Sequence, residues 1–218
     1  MKVITLIARR PDLTRAQFRA YYENNHAPLG ARYFPFEKYV RNHLTGSRPD
    51  NVGFDVLMEC WLDRTKALAS LDGKVGDIFA EDEARFMNAP PRPEGVDVVE
   101  RLLDGPPRGI DPRGLHKLAF FVGNSTGIDR EAFLDRVAEW GRALGADLGA
   151  NRVVLDEVVP GQTPPAIFNA DAILTLWLDN NQAATPRAPA GIQIRSTLAL
   201  ESEETTPAEL AAAFGSRR

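Results

Sequence analysis

The two halves of this sequence repeat each other, and this repeat constrains the fold more than any other feature. A displacement of about 115 residues superimposes Lys2 on Lys117 and Phe18 on Phe133. One residue further, the Trp-Leu-Asp tripeptide that begins at Trp61 falls on the one that begins at Trp177. A period of this length indicates two copies of one module and not a solenoid of short repeats.

The first copy has the pattern strand, helix, strand, strand, helix, strand. β-Branched and alternating residues predict strands, and a capping box of Thr14 and Gln17 predicts the start of the first helix. That helix is expected to stop at His26, because the residue before Pro28 is disfavoured in the α region. The predicted strands are 2–8, 36–44, 54–62 and 96–103, and the helical regions are 15–25 and 63–87, the second broken around Gly73 and Gly76. This order is that of a ferredoxin-like module.

The second copy repeats the order in a degenerate form. Its predicted strands are 115–123, 152–159, 170–178 and 191–201, with a helix at 130–144, a shortened helical region at 180–189 and a final helix at 207–214. The predicted fold class is therefore α+β, with two tandem ferredoxin-like βαββαβ modules. The domain boundaries are 1–104 for the first module, 105–114 for a linker rich in proline and glycine, 115–203 for the second module and 204–218 for a tail.

The composition excludes several classes of function. The 218 residues include 26 basic and 30 acidic side chains, for a net charge of −4, without a basic stripe that would bind nucleic acid. The single Cys60 is expected to be a buried apolar residue, and its being alone excludes disulfides and cysteine-based zinc sites. The N-terminus is typical of a first strand and not of a signal peptide, and no window approaches the ~20 apolar residues of a membrane span. We expect a cytoplasmic protein.

The chemistry is concentrated in the first copy, between residues 9 and 29. After the first helix this copy has the segment NNHAPLG, whereas the second copy has ALGADLG and so lacks the histidine and the proline. His26 exchanges protons near neutral pH when its pKa is unperturbed, so it is a candidate general acid or base. The alternative is a histidine that only stabilises the end of its helix.

A family resemblance follows from this stretch. Arg9-Arg10-Pro11, Phe18, Tyr21-Tyr22, His26-Ala27-Pro28-Leu29 and then a strand with Tyr39 and Asn42 resemble the EthD family of dimeric α/β-barrel proteins. The resemblance covers residues 1–103 and extends to the second copy only through the repeat. It implies two sheets packed face to face as a barrel, normally from two chains. Here tandem copies could close it in one chain, as a pseudo-dimeric monomer, although a homodimer is also compatible.

Two strand faces complete the candidate site. Tyr39, Arg41 and His43 alternate on one face of the second predicted strand, and Asp55, Glu59 and Trp61 share a face of the third. If both faces line one barrel cavity, an acid and a base could flank a bound substrate; otherwise they face solvent or pair as a ladder of salt bridges. The predicted catalytic residues are His26, His43 and Tyr39, and the predicted substrate-binding residues are Arg41, Asn42, Asp55, Glu59 and Trp61.

The expected function is that of a cofactor-independent enzyme without a metal site. The resemblance implies an aromatic or polyketide-like substrate and proton-transfer chemistry such as cyclisation, dehydration or decarboxylation. Two alternatives stay open: a cofactor-free monooxygenase of an electron-rich aromatic, and a non-catalytic binding or accessory protein of a degradation pathway. A barrel interior filled with aliphatic side chains would favour the binding protein.

Overall fold

The computed structural model describes residues 1–46, 49, 51–71, 73–88, 95–107, 116–162, 167–180 and 186–215. The strands in these residues are β1 Lys2–Ile7, β2 Lys38–Leu44, β3 Val56–Trp61, β4 Val96–Asp104, β5 His116–Asn124, β6 Arg152–Val158, β7 Ala172–Leu178 and β8 Ile192–Thr205. The α-helices are α1 Arg15–Tyr21, α2 Ala27–Tyr33, α3 Arg64–Ala69, α4 Lys74–Glu83, α5 Arg130–Leu148 and α6 Pro207–Gly215. A π-helical turn, Tyr22–His26, joins α1 to α2.

The strands form a closed antiparallel barrel. Around it they follow the order β1, β3, β2, β8, β5, β7, β6 and β4, which pairs again with β1. The first half contributes four adjacent strands in the order β4, β1, β3, β2, and the second half contributes β8, β5, β7, β6. Pairing of β2 with β8 and of β4 with β6 joins the two halves. The predicted barrel of mixed α and β structure is therefore present.

Side chains pack in three apolar layers. Every strand contributes to the barrel interior, through residues such as Leu6, Leu57, Phe121 and Ile173. A second layer lies between the sheet of the first half and α1, the π-turn and α2, where Phe18 is fully buried. The third lies between the other sheet and α5. Because both faces of the strands are buried, a strand's face toward the interior cannot be recognised by hydrophobicity alone.

The predicted stop at His26 is wrong. The π-turn closes with a hydrogen bond from the Ala27 N–H to the Tyr22 carbonyl, and the chain continues directly into α2. Pro28 lies in the first turn of α2, where a helix does not need the missing N–H. The conformational bias before proline is a tendency, and Ala27 adopts the α region with φ −63° and ψ −44°.

Other boundaries differ by a few residues. β8 continues to Thr205, so the predicted boundary at 203 falls inside a strand, and α5 continues to Leu148 before Gly149 ends it in the left-handed conformation. The predicted break near Gly73 is present between α3 and α4, whereas Gly76 lies within α4. Of the predicted helical region at 180–189, residues 186–189 are not helical and 181–185 lie outside the described residues, as do 108–114 of the linker. No helix in the described part of the chain is long and apolar enough to cross a membrane.

Candidate functional site

Tyr39, Arg41 and His43 share a face of β2, and this face points away from the barrel interior. They lie between the sheet and the first helices, and all three are buried. The Tyr39 hydroxyl is 3.3 Å from the Tyr22 hydroxyl, and the Arg41 guanidinium stacks on the Tyr39 ring at 4.7 Å. The predicted shared face is confirmed, but it belongs to the sheet–helix layer.

Glu23 of the π-turn joins two of these side chains. Its Oε1 lies 2.6 Å from His43 Nε2, and its Oε2 accepts a hydrogen bond of 2.5 Å from Arg41. Burial disfavours the charged carboxylate, but the hydrogen bonds from His43 and Arg41 outweigh this and lower the pKa of Glu23 to about 2. Glu23 was missed in the sequence, where it precedes the motif and shares no obvious periodicity with β2.

His26 forms a separate pair with an acid. Its Nδ1 lies 2.7 Å from Asp82 Oδ2 of α4, and the Tyr21 hydroxyl donates to the other carboxylate oxygen at 2.7 Å. Burial opposes ionisation of Asp82, but the hydrogen bonds from His26 and Tyr21 lower its pKa below the ordinary value. The imidazole packs against the rings of Phe79 and Phe86. A carboxylate on Nδ1 fixes the orientation of the ring, as in many proton-transfer sites.

The Tyr22 ring separates the two histidine–carboxylate pairs. Its centroid is 4.9 Å from that of His26 and 6.0 Å from that of His43. Burial raises the pKa of Tyr39 to about 12 and the pKa of Tyr22 well above its usual range. Both phenols are therefore neutral at physiological pH and can donate hydrogen bonds.

Two clefts flank this arrangement, and His26 lines neither of them. The larger cleft has a volume of about 420 Å³ and the smaller one about 240 Å³. The larger is lined by Glu23, Asn24, Ala27, Pro28, Ala31, Arg41, Glu203, Glu204, Thr205, Glu209 and Ala213. The smaller is lined by Arg15, Ala16, Phe18, Arg19, His43, Leu44 and Asp55. Glu23 in the larger cleft and His43 in the smaller one are hydrogen-bonded to each other, so they connect the two clefts.

Asp55 is not on the same face as Glu59 and Trp61. Asp55 precedes β3 at a bend. Its carboxylate accepts hydrogen bonds from the Arg9 backbone N–H at 3.2 Å and from the Arg9 side chain at 3.3 Å. Arg15 also lies 3.4 Å from the carboxylate. The bend turns Asp55 toward α1, whereas strand alternation alone would have directed its side chain into the barrel.

Asn42, Glu59 and Trp61 do point into the barrel, where they meet lysines. Glu59 pairs with Lys2 at 2.7 Å and with Lys117 at 3.3 Å, and it accepts a hydrogen bond of 2.9 Å from Asn42. Burial opposes ionisation of Glu59, but the charges of Lys2 and Lys117 lower its pKa. Of the two alternatives, the one in which Tyr39, Arg41 and His43 line one barrel cavity with these residues is not found, because the sheet lies between the two sets.

Comparison with known proteins supports the fold. Residues 10–90 match the model of the EthD domain, and no curated protein matches the sequence. A candidate monooxygenase from Lactobacillus acidophilus NCFM is 14% identical with a TM-score of 0.51, covering 94% of this chain and 95% of its own. An anthrone oxidase-like protein is 11% identical with a TM-score of 0.56, covering 93% and 92%. A candidate chlorite dismutase is 7% identical with a TM-score of 0.50, covering 97% and 96%.

At these identities the similar structures establish the fold and no activity. The matched range 10–90 contains all the residues of the two histidine–carboxylate pairs. The resemblance found in the sequence thus agrees with an independent domain match over the part of the chain that holds the candidate site.

Proposed function

We propose that the first half of the chain is a cofactor-independent proton-transfer site for a small aromatic or polyketide-like molecule. The observation that supports this most is the Glu23 carboxylate, held between His43 and Arg41 on the wall of the 420 Å³ cleft. The volume falls within the ~300–1,000 Å³ typical of small-molecule sites. Ala27, Pro28 and Ala31 give this cleft an apolar wall suited to a ring.

Each polar residue has a distinct role in the proposal. Arg41 stabilises the oxyanion that develops on a phenol or β-ketone when a proton is removed. Glu23 has too low a pKa to retain a proton near pH 7, so it accepts the substrate proton and passes it to the imidazole of His43. Tyr39 supports this set as a neutral hydrogen-bond donor behind Arg41. His26, across Tyr22, is the alternative proton-transfer residue.

Glu203, Glu204 and Glu209 line the larger cleft together with Glu23 and Arg41. Glu203 is paired with Arg19 at 3.2 Å, and Glu204 is paired with Lys38 at 3.3 Å. The proposed reaction is proton transfer in a cyclisation, a dehydration or a decarboxylation.

The test is turnover of phenolic and β-keto aromatic compounds by single variants. We expect His43→Gln to lower turnover by about 10²- to 10⁴-fold, the usual contribution of a general acid or base. His116→Gln, a change in a histidine outside the site, is the matched control and should leave turnover unchanged. Loss of turnover in His26→Gln but not in His43→Gln would transfer the role to His26, and full activity in both would reject the proposal.

Two alternatives have specific support. The names of the monooxygenase and the anthrone oxidase-like protein favour cofactor-free oxygenation, which would consume oxygen in the presence of an anthrone-type substrate. The part of the described barrel interior around Leu6, Leu57 and Ile173 is packed with apolar side chains, which favours a binding protein that would bind such a compound without turnover. Oxygen uptake and product analysis on one set of compounds separate the three functions.

We also propose that the chain is a tandem of modules 1–104 and 115–203, joined by 105–114 and followed by a tail, that closes one barrel as a pseudo-dimeric monomer. Equal strand order in the two halves supports this. So do two equivalent cation–aromatic pairs, Lys2 over Trp61 at 4.9 Å and Lys117 over Trp177 at 4.6 Å. Light scattering should give a mass near 24.0 kDa, whereas twice that mass would indicate a homodimer.

A further inference from the structure

The barrel interior contains a buried ionic core that the proposed site does not use. The Lys2 ammonium of β1 is surrounded by three carboxylates, one each from β3, β4 and β6. Its Nζ lies 2.7 Å from Glu59, 3.1 Å from Glu100 and 2.8 Å from Asp156. Lys2 and Asp156 are almost completely inaccessible to solvent. This core joins strands of both halves, so its charge state affects the whole barrel.

The three carboxylates are not equally compensated. Glu59 also pairs with Lys117 at 3.3 Å, and Glu100 lies 3.6 Å from the guanidinium of Arg152. Both Asp156 oxygens accept from Lys2 at 2.8 Å, and among the described residues this is the only cation that Asp156 contacts. Asp156 is thus the acid with the least support for its negative charge.

The surrounding groups reinforce this difference. On the strands next to β6, Glu100 of β4 adds a like charge, and the buried polar residue of β7 is the neutral Thr175. Lys38 of β2 and Glu204 of β8 pair with each other at 3.3 Å and bring no net charge. Burial, together with the charges of Glu59 and Glu100, raises the pKa of Asp156 to about 7 against the opposing effect of Lys2.

We propose that Asp156 takes up a proton near neutral pH while the barrel stays folded, which makes the ionic core a pH-sensitive element that links the two halves. The proposal is independent of the proposed function. Protonation leaves Lys2 with two carboxylates, each of which has a second cation. The neutral acid keeps its hydrogen-bonding position, and three negative charges no longer surround the one Lys2 ammonium.

The sign of the effect follows from linkage. The unfolded chain holds the Asp156 proton only below about pH 4, whereas the folded chain holds it up to about pH 7. Between these values folding takes up a proton, so the contribution of Asp156 to stability falls as the pH rises and is constant above pH 7. Asp156→Asn has no such proton. We expect the unfolding equilibrium constant of the wild type, relative to that of the variant, to rise by about tenfold per pH unit from pH 5 to pH 7.

Two measurements on the full chain test this. Carboxyl ¹³C NMR of the folded wild type should give a titration midpoint for Asp156 between pH 6 and pH 8, and a midpoint below pH 5 would overturn the proposal. Urea unfolding at pH 5, 6, 7 and 8 gives the unfolding equilibrium constant of each protein. The ratio of wild type to variant should rise with pH for Asp156→Asn but stay constant for Asp135→Asn, whose exposed carboxylate contacts Arg101. Identical pH dependence in all three proteins would also overturn it. The NMR result stands even if Asp156→Asn does not fold.

Discussion

Glu23 is the single residue on which the candidate site depends, since it contacts both His43 and Arg41. Glu23→Gln keeps the shape but removes the charge, so we expect a loss of about 1–3 kcal/mol in the free energy of unfolding at pH 7. The lowered pKa of Glu23 also sets the direction of the pH dependence of stability. The stability that Glu23 contributes is present above pH ~4.3 and is lost as the pH falls toward 2.

Circular dichroism of thermal unfolding from pH 2 to pH 7 checks this expectation. The acid-induced loss of stability should be smaller in Glu23→Gln than in the wild type. Glu139→Gln changes an exposed glutamate of α5 and should follow the wild type. A Glu23→Gln profile parallel to that of the wild type would mean that Glu23 is not preferentially ionised in the folded state.

The sequence predicts these residues only in part, and the reason is physical. Alternation correctly groups Tyr39, Arg41 and His43, because successive strand side chains point to opposite faces. It does not reveal which face lies inside the barrel, since both faces of β2 are buried. Glu23 escaped notice because its distance to β2 depends on the π-turn, which no residue pattern signals.

At the scale of elements, helix starts were predictable because side chains encode them. Thr14 and Gln17 form the expected capping box, with the Gln17 N–H donating to the Thr14 hydroxyl at 3.2 Å. The end of the first helix was not predictable, because the π-turn places Pro28 where its missing N–H has no consequence. Two or three neighbouring residues are enough to specify a helix cap, whereas a π-turn depends on the packing around it.

We expect Thr14→Ala to lower the free energy of unfolding by about 1 kcal/mol, because α1 begins at this cap and carries Phe18 into the core. The matched change is Thr206→Ala at the start of α6. The Thr206 hydroxyl accepts a hydrogen bond from the Glu209 N–H and donates one to the Glu209 carboxylate, and the change removes both. Hydrogen exchange should show increased opening of α6 in Thr206→Ala, with a smaller effect on α1. Equal protection of α1 in Thr14→Ala and wild type would argue that packing alone fixes this helix.

At the scale of the whole molecule, the predicted barrel of mixed α and β structure is present, and its strands follow the same order in the two halves of the chain. The ionic core was not foreseen, since its charges lie far apart in the chain, from Lys2 to Asp156. Lys2, Glu59 and Lys117 lie on the interior faces of their strands, but alternation does not reveal which face is interior, and pairing these residues requires the barrel to be closed. The ionic core therefore forms only when the barrel is closed.

The Lys2 ammonium touches carboxylates from both halves of the chain. Lys2→Met leaves the buried Glu59 and Asp156 and the half-buried Glu100 without their common cation, so we expect a loss of about 3–5 kcal/mol in the free energy of unfolding. Lys66→Met, an exposed change on α3, should cost less than ~0.5 kcal/mol. Adding Asp156→Asn to Lys2→Met should restore part of the loss, because one stranded charge is removed. Additive losses in a double-mutant cycle, measured by urea unfolding at pH 8, would mean that Lys2 and Asp156 do not stabilise each other across the barrel.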